Sequence, residues 1–108
     1  MATYTITEAE VTSPLTVSPG DEIVVRLPEN PSTGFRWHVE TVPPGMLDAE
    51  NDEFAVSAMA PGAAGTRVLS FRARSPGSAQ IGLKLFRAWE GDSSALSSYA
   101  VGVTVRAQ

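Results

Sequence analysis

Apolar and polar residues alternate in several short segments of this 108-residue chain. In one of them Ile23, Val25 and Leu27 fall on one face of an extended strand, and the residues between them fall on the other. Sequences rich in proline, glycine and serine interrupt these segments at intervals of about 8–12 residues, a spacing typical of antiparallel β-sandwiches and barrels. No segment has the period of an amphipathic helix. We therefore predict an all-β fold, with residues 1–108 forming a single domain.

The alternation predicts about seven or eight strands. They cover residues 4–11, 15–17, 22–27, 35–40, 53–59, 69–74, 79–86 and 99–105. The strand over residues 22–27 is expected to end at Pro28. Residues 41–51 contain Pro43, Pro44 and Gly45, and we interpret them as an irregular crossover between two sheets.

A turn with the sequence NPSTGFRW occupies residues 30–37. Pro31 fixes its backbone φ angle, and Gly34 permits a positive φ, so the turn is predicted to be tight. Asn30, Ser32 and Thr33 can bond to neighbouring backbone groups and stiffen it further. A stiff, uncharged loop suits the filling of a groove, because it loses little conformational entropy on binding. The alternative is an ordinary connection between two strands.

Trp89 lies among polar and small residues, outside any alternating segment. An exposed indole is therefore predicted, and exposed tryptophans are enriched at protein contact sites. The alternative is that the ring folds over the end of the sandwich as a lid. In an immunoglobulin-like topology the turn at Asn30 and the turn over residues 87–94 would be neighbours, whereas the end at which the turn over residues 62–66 emerges stays open.

Composition restricts the function classes. The net charge is -4, and the eight basic residues are scattered, which argues against nucleic acid as a partner. The chain has no cysteine, which excludes disulfides, thiolate metal ligands and a cysteine nucleophile, and leaves the compartment undetermined. The first residues lack a basic region and a long apolar run, so we expect neither a signal peptide nor a membrane span. A cytoplasmic location, or a periplasmic or secreted one after removal of a signal, is compatible with this sequence.

Neither an enzyme nor a metalloprotein is indicated. The single histidine, His38, is predicted to be a solvated residue on an outward strand face, and no serine is spaced to act with it. An acidic cluster formed by Asp48, Glu50, Asp52 and Glu53 lacks the glycine and the spacing of a calcium loop, so a solvated loop is predicted there. No catalytic residue, metal or cofactor is expected.

Three motifs give the chain a resemblance to a known family. They are Asn30, Pro31, Ser32, Thr33, Gly34 and Phe35; then Gly62, Ala63, Ala64, Gly65 and Thr66; and finally Arg87, Ala88 and Trp89. Over nearly its whole length the chain resembles the chagasin-like inhibitors of papain-family cysteine proteases, inhibitor family I42. The resemblance implies an immunoglobulin-like antiparallel β-sandwich and reversible, tight occlusion of a protease cleft by three loops. The sequence is silent on oligomeric state, so a monomer is the default expectation, and neither nucleic acid nor a membrane is expected as a partner.

The same resemblance implies a role for each motif. Ser32 and Thr33 would press against the catalytic cysteine and histidine of the protease, residues 62–66 would lie along one side of the cleft, and Arg87 and Trp89 would pack on the other. Ala64 stands where the family has glycine, and Ala88 where it has proline, so the affinity and the choice of target are expected to differ. The rival hypothesis is a non-inhibitory immunoglobulin-like module for adhesion or carbohydrate binding.

Overall fold

The computed structural model describes residues 2–8, 13–30, 33–56, 65–91 and 95–107, and these residues form two four-stranded β-sheets. The strands are β1 (Thr3–Thr7), β2 (Leu15–Val17), β3 (Glu22–Glu29), β4 (Arg36–Thr41), β5 (Leu47–Val56), β6 (Gly65–Ala73), β7 (Gly77–Phe86) and β8 (Ser97–Val105). The first sheet has the order β1-β3-β6-β5, and the second has the order β2-β8-β7-β4. Within these ranges no helix is long and apolar enough to cross a membrane.

The pairing agrees with the predicted immunoglobulin-like sandwich. Strands β3 to β8 pair with one another in antiparallel fashion. The two short N-terminal strands differ, because β1 pairs with β3 and β2 pairs with β8 in parallel. The chain thus contributes one edge strand to each sheet before it enters the antiparallel body of the fold.

Apolar side chains at alternate strand positions fill the space between the sheets. Residues Ile23, Val25, Leu27, Leu69, Phe71, Ile81, Leu83, Val101, Val103 and Val105 are all at most 2% exposed. Burial of one such large aliphatic or aromatic side chain contributes roughly 1.5–3 kcal/mol. Trp37 lies in the same core, and its ring stacks on Tyr99 with the centroids 5.2 Å apart. The alternation in the sequence therefore identified the core correctly.

The region after β4 corrects the prediction. Instead of an irregular crossover over residues 41–51 and a short strand over 53–59, β5 is a ten-residue strand, Leu47–Val56. It pairs with β6 from Leu47 opposite Ala73 to Val56 opposite Gly65, with a register shift between Ala49 and Asn51. Residues 53–56 of the predicted strand lie in β5, but residues 47–52 show no clear alternation, because β5 is an edge strand with mostly exposed side chains and a shifted register. Residues 57–59 lie outside the described part of the chain.

The acidic cluster is also a feature of a strand and not of a solvated loop. Three carboxylates of β5 form ion pairs with arginines of β6 or of the residue that follows it. The pairs are Asp48 with Arg74 at 2.6 Å, Glu50 with Arg72 at 3.2 Å and Asp52 with Arg67 at 2.9 Å. These cross-strand ion pairs stabilise acidic residues in a β-strand, although acidic residues on their own do not favour strand formation.

Strand β3 continues through Pro28 to Glu29, beyond its predicted end. The N–H of Glu22 points to the β1 side, where it donates to the carbonyl of Ala2. Pro28 lies six positions later and faces the same side, but β1 ends opposite Arg26. The missing N–H of the proline therefore costs no ladder hydrogen bond. Strand β1 ends at Thr7, before its predicted end at residue 11, and residues 9–11 lie outside the described part of the chain.

Candidate functional site

The strand ends that flank three connections lie at one end of the sandwich. Glu29 at the end of β3 pairs with Gly65, and Gly65 pairs with Val56 at the end of β5. In the other sheet Arg36 at the start of β4 pairs with Phe86 at the end of β7. We call this end the loop pole, and the segments that join its strand ends are the first (30–35), second (57–64) and third (87–96) connections. The predicted proximity of the first and third connections is confirmed. The sequence left open at which end of the sandwich the second connection emerges, and the strand ends that flank it lie at the loop pole.

Some of the motif residues lie outside the described part of the chain. These are Pro31, Ser32, Gly62, Ala63 and Ala64, and the expectations about them remain predictions.

Gly65 and Thr66 were predicted in a turn, but they are the first two residues of β6. Gly65 is buried, and a β-carbon there would collide with the carbonyl oxygen of Ala55 and the ring of Phe54. The glycine is thus needed for the close approach of β5 and β6 at the loop pole.

The first connection is held by its own hydrogen bonds. The Thr33 hydroxyl donates to the carbonyl of Asn30 at 2.8 Å, and the N–H of Thr33 donates to the same oxygen at 3.2 Å. The N–H of Phe35 donates to the Thr33 hydroxyl oxygen at 3.3 Å. Gly34 has φ of +79°, as predicted. Thr33 is exposed, but its hydroxyl proton already serves the turn, so toward a partner this hydroxyl can act mainly as an acceptor.

Trp37 closes the base of this connection. Its backbone N–H donates to Oε2 of Glu29 at 2.8 Å, and its indole N–H donates to the carbonyl of Pro28 at 3.0 Å. Strands β3 and β4 belong to different sheets, so no backbone ladder joins them. The two hydrogen bonds from Trp37 therefore join the end of β3 to the start of β4, as backbone hydrogen bonds would in a β-hairpin.

Arg87 attaches the third connection to the first. Its Nε donates to the carbonyl of Thr33 at 3.0 Å, and its guanidinium carbon lies 4.4 Å from the centre of the Phe35 ring. The same carbon lies 5.9 Å from the Trp89 ring, and Nη1 forms an ion pair with Glu90 at 3.2 Å. Arginine suits this position because its planar group can stack on aromatic rings and donate hydrogen bonds at its edge.

Trp89 is 73% exposed, which confirms the predicted exposed indole and excludes the lid. Its six-membered ring lies against Gly34, since a β-carbon at Gly34 would overlap the indole. The tryptophan therefore presents a large apolar surface to solvent while it contacts the first connection from outside. Ala88 beside it is exposed.

Leu96 is a further apolar residue at the loop pole, and the sequence analysis missed it. It is 65% exposed, and its N–H donates to the carbonyl of Leu85 at 2.9 Å. A cavity of about 400 Å³ lies between the first and third connections, bordered by Phe35, Arg87 and Leu96 among others. Leu96 could have been found in the sequence by the criterion that identified Trp89, because it is a large apolar residue outside any alternating strand pattern.

Residues 16–103 match the family described as chagasin family peptidase inhibitor I42. The chain belongs to this family. It is 30% identical to chagasin of Trypanosoma cruzi over 95 residues, which cover 83% of this chain and 86% of the relative. The crystal structure of the cysteine protease inhibitor EhICP2 from Entamoeba histolytica matches with a TM-score of 0.85 at 28% identity, covering 98% of this chain and 97% of that one.

A more distant likeness concerns the fold alone. PbICP-C, solved in complex with falcipain-2, matches with a TM-score of 0.65 at 17% identity, covering 96% of this chain and 89% of that one. Chagasin-family proteins inhibit cysteine proteases, so the function class predicted from the three motifs is confirmed, and so is the prediction that the chain is no enzyme.

His38 of this chagasin-family chain is not the solvated residue that the sequence suggested. The side chain is half-buried, and its ring stacks on Phe86 with the centroids 4.1 Å apart. Its Nε2 is buried and has no hydrogen-bond partner within the described chain. In the same ranges no group of three or more histidine, aspartate or glutamate side chains is arranged to hold a metal ion.

Glu29 and Arg67 form a buried ion pair at the loop pole, and the sequence analysis missed both. Oε1 of Glu29 lies 2.7 Å from Nη2 of Arg67, and the side chains are 2% and 7% exposed. Hydrogen bonding to the Glu29 carboxylate raises the pKa of Arg67 further above its ordinary value. The signal in the sequence was the continuation of the inward alternation of β3 and β6 into charged residues, which is uncommon without a buried partner.

Proposed function

We propose that this chain is a reversible, tight-binding inhibitor of papain-family cysteine proteases that occludes the active-site cleft with its loop pole. The observation that carries the proposal is the joining of the first and third connections. Arg87 binds the carbonyl of Thr33, and the Trp89 ring rests on Gly34 while most of it faces solvent. This arrangement offers an enzyme a preformed surface with an apolar anchor at its side.

Each connection has its own place in the proposed complex. The turn over residues 30–35 enters the cleft near the catalytic cysteine and histidine of the enzyme. Residues 62–66 lie along one wall, and Arg87, Ala88 and Trp89 pack against the other. EhICP2, which resembles this chain over nearly its whole length, is a cysteine protease inhibitor, and PbICP-C, a match in fold, was solved with falcipain-2 bound.

Resistance to cleavage follows from the shape of the first connection. A protease of this class hydrolyses an extended peptide whose carbonyl is aligned with the nucleophile. Here the backbone turns at Gly34 with φ of +79° and is bonded to itself through Thr33. The turn fills the cleft without presenting such a peptide, so inhibition is steric and requires no covalent bond from the inhibitor.

Titration of papain and a cathepsin L-like enzyme tests the proposal. Hydrolysis of a fluorogenic peptide should fall stoichiometrically with added protein, and activity should return on dilution. The variant Arg74→Ala is a suitable control, because the Arg74 side chain is exposed and lies at the opposite end of the sandwich. This variant should inhibit as strongly as the wild type. Absence of inhibition at micromolar protein would contradict the proposal and favour the non-inhibitory adhesion or carbohydrate-binding module.

The size of the contact gives a second test. A stable complex should bury about 800 Å² on each partner, centred on the loop pole. A complex structure in which the enzyme contacts the opposite end of the sandwich, or buries much less surface, would contradict the proposed mode of inhibition.

A further inference from the structure

The inner face of the first sheet changes from apolar to charged at the loop pole. On β3 the inward positions Val25 and Leu27 are followed by Glu29. On β6 the inward position Leu69 is preceded by Arg67. At the loop pole the core of the sandwich thus ends in a pair of opposite charges.

This pair has the geometry of a specific contact and not of a loose surface ion pair. Glu29 accepts Nη2 of Arg67 on Oε1 at 2.7 Å and Nε on Oε2 at 3.1 Å, so the contact is bidentate. The remaining guanidinium nitrogen, Nη1, donates to Oδ1 of Asp52 at 2.9 Å. The guanidinium carbon lies 5.5 Å from the centre of the Phe54 ring. The arginine is therefore fixed by partners on β3 and on β5, which flank β6.

The Glu29 carboxylate also reaches the far end of the first connection. Glu29 directly precedes residue 30, and the Oε2 that binds Arg67 accepts the N–H of Trp37 at 2.8 Å. Arg67 itself is the third residue of β6, just after the second connection. One carboxylate thus links both ends of the first connection to the strand that follows the second.

We infer that Glu29 and Arg67 are positioning residues for inhibition, which set the first connection relative to the start of β6. The inference rests on the proposed function. Both side chains are buried, so they act through the connections and not by contact with the enzyme. Apolar residues could close the core at this point, but they would not fix an orientation, whereas a bidentate pair constrains both distance and angle.

A double variant tests this role without leaving a lone buried charge. Glu29→Gln with Arg67→Met removes both charges, and the glutamine oxygen can still accept the N–H of Trp37. We expect this variant to fold and its inhibition constant to rise about tenfold, mainly through faster dissociation. The matched control is Asp48→Asn with Arg74→Met, which removes an exposed pair between β5 and the residue that follows β6, at the opposite end of the sheet, and should leave inhibition unchanged.

A second measurement separates positioning from stability. Amide hydrogen exchange in the free double variant should accelerate at Thr33, Phe35 and Trp37 and stay unchanged in the centre of β7 and β8. Inhibition within about twofold of the wild type, or faster exchange spread evenly over both sheets, would overturn the inference. If the double variant does not fold, Arg67→Lys replaces it, because lysine keeps the charge and loses the bidentate geometry.

For Arg67→Lys we expect the inhibition constant and the exchange rates to change in the same direction and by a smaller amount. Unchanged inhibition with unchanged exchange would overturn the inference.

The two proposals fail in different ways. A wild-type chain that inhibits no papain-like enzyme contradicts the proposed function, while the exchange measurement on the free protein still decides whether the pair holds the first connection.

Discussion

Replacement of Gly34 by alanine separates the two roles of this residue in the first connection. Gly34 has φ of +79°, and its missing side chain leaves the space that the Trp89 ring occupies. The added methyl group should therefore strain the backbone and also displace the indole. Gly45 is the matched control, since it has φ of +81° and a β-carbon there would meet nothing within 4 Å.

The two effects differ in size and in what they change. A β-carbon at positive φ costs about 1–2 kcal/mol of folding free energy, and this cost should apply to Gly34→Ala and Gly45→Ala alike. Displacement of an exposed aromatic anchor costs about 2 kcal/mol or more of binding free energy. At 1.4 kcal/mol per tenfold, only Gly34→Ala should raise the inhibition constant, by roughly thirtyfold.

The assay is a thermodynamic cycle with Trp89→Ala. Inhibition constants for papain would be measured for the wild type, both single variants and the double variant, alongside urea denaturation of each free protein. Once Trp89 is removed, Gly34→Ala should weaken inhibition little further, which gives a coupling energy of about 2 kcal/mol.

An equal effect of Gly34→Ala in both backgrounds would refute the contact between glycine and indole as the cause. A rise of the inhibition constant in Gly45→Ala as large as that in Gly34→Ala would show that general destabilisation, and not the position of the ring, weakens inhibition.

Three further outcomes are expected. Trp89→Ala should weaken inhibition by about 2 kcal/mol in a papain titration and leave the melting temperature nearly unchanged, because the ring is mostly exposed; loss of the fold would contradict this. Arg87→Lys should weaken inhibition about tenfold, since lysine cannot both stack on Phe35 and reach the Thr33 carbonyl through a planar edge; an unchanged constant would remove that argument. Asp21→Asn should lower the free energy of unfolding at pH 7 without affecting inhibition. Two backbone N–H groups, the first from Ser18, hold the pKa of Asp21 below its ordinary value, so its stabilising contribution is present above that value and is lost as the pH falls through the folded-state pKa. Urea denaturation from pH 7 to pH 2 should show the two proteins converge below about pH 4, and a constant difference would contradict the assignment.

The antiparallel body of the fold was predictable because its strands bury one face. Alternation at Ile23, Val25 and Leu27, and again at Val101 and Val103, requires only that one side of a strand meets a core. Only the last residues of β5, 53–56, were predicted by this rule. The strand lies at a sheet edge, its register shifts after Ala49, and its acidic side chains are paired with arginines distant in sequence.

The candidate site was predictable to the extent that its features are local. Pro31 and Gly34 indicate a tight turn, and Trp89 is conspicuous as an indole outside any strand pattern. The Glu29–Arg67 pair depends on two strands being neighbours, and the partners are 38 positions apart in sequence. The inward alternation of each strand continues into one of these charges, but only the pairing of β3 with β6 identifies its partner.

Strand β5 has a consequence for self-association. It lies at the outer edge of its sheet, where unpaired backbone groups can recruit another extended chain. Its side chains include Asp48, Glu50, Asp52 and Glu53, and charged side chains on an edge strand disfavour pairing with the edge of a second copy. The charged side chains that join β5 to β6 therefore also limit aggregation through the outer edge of this sheet.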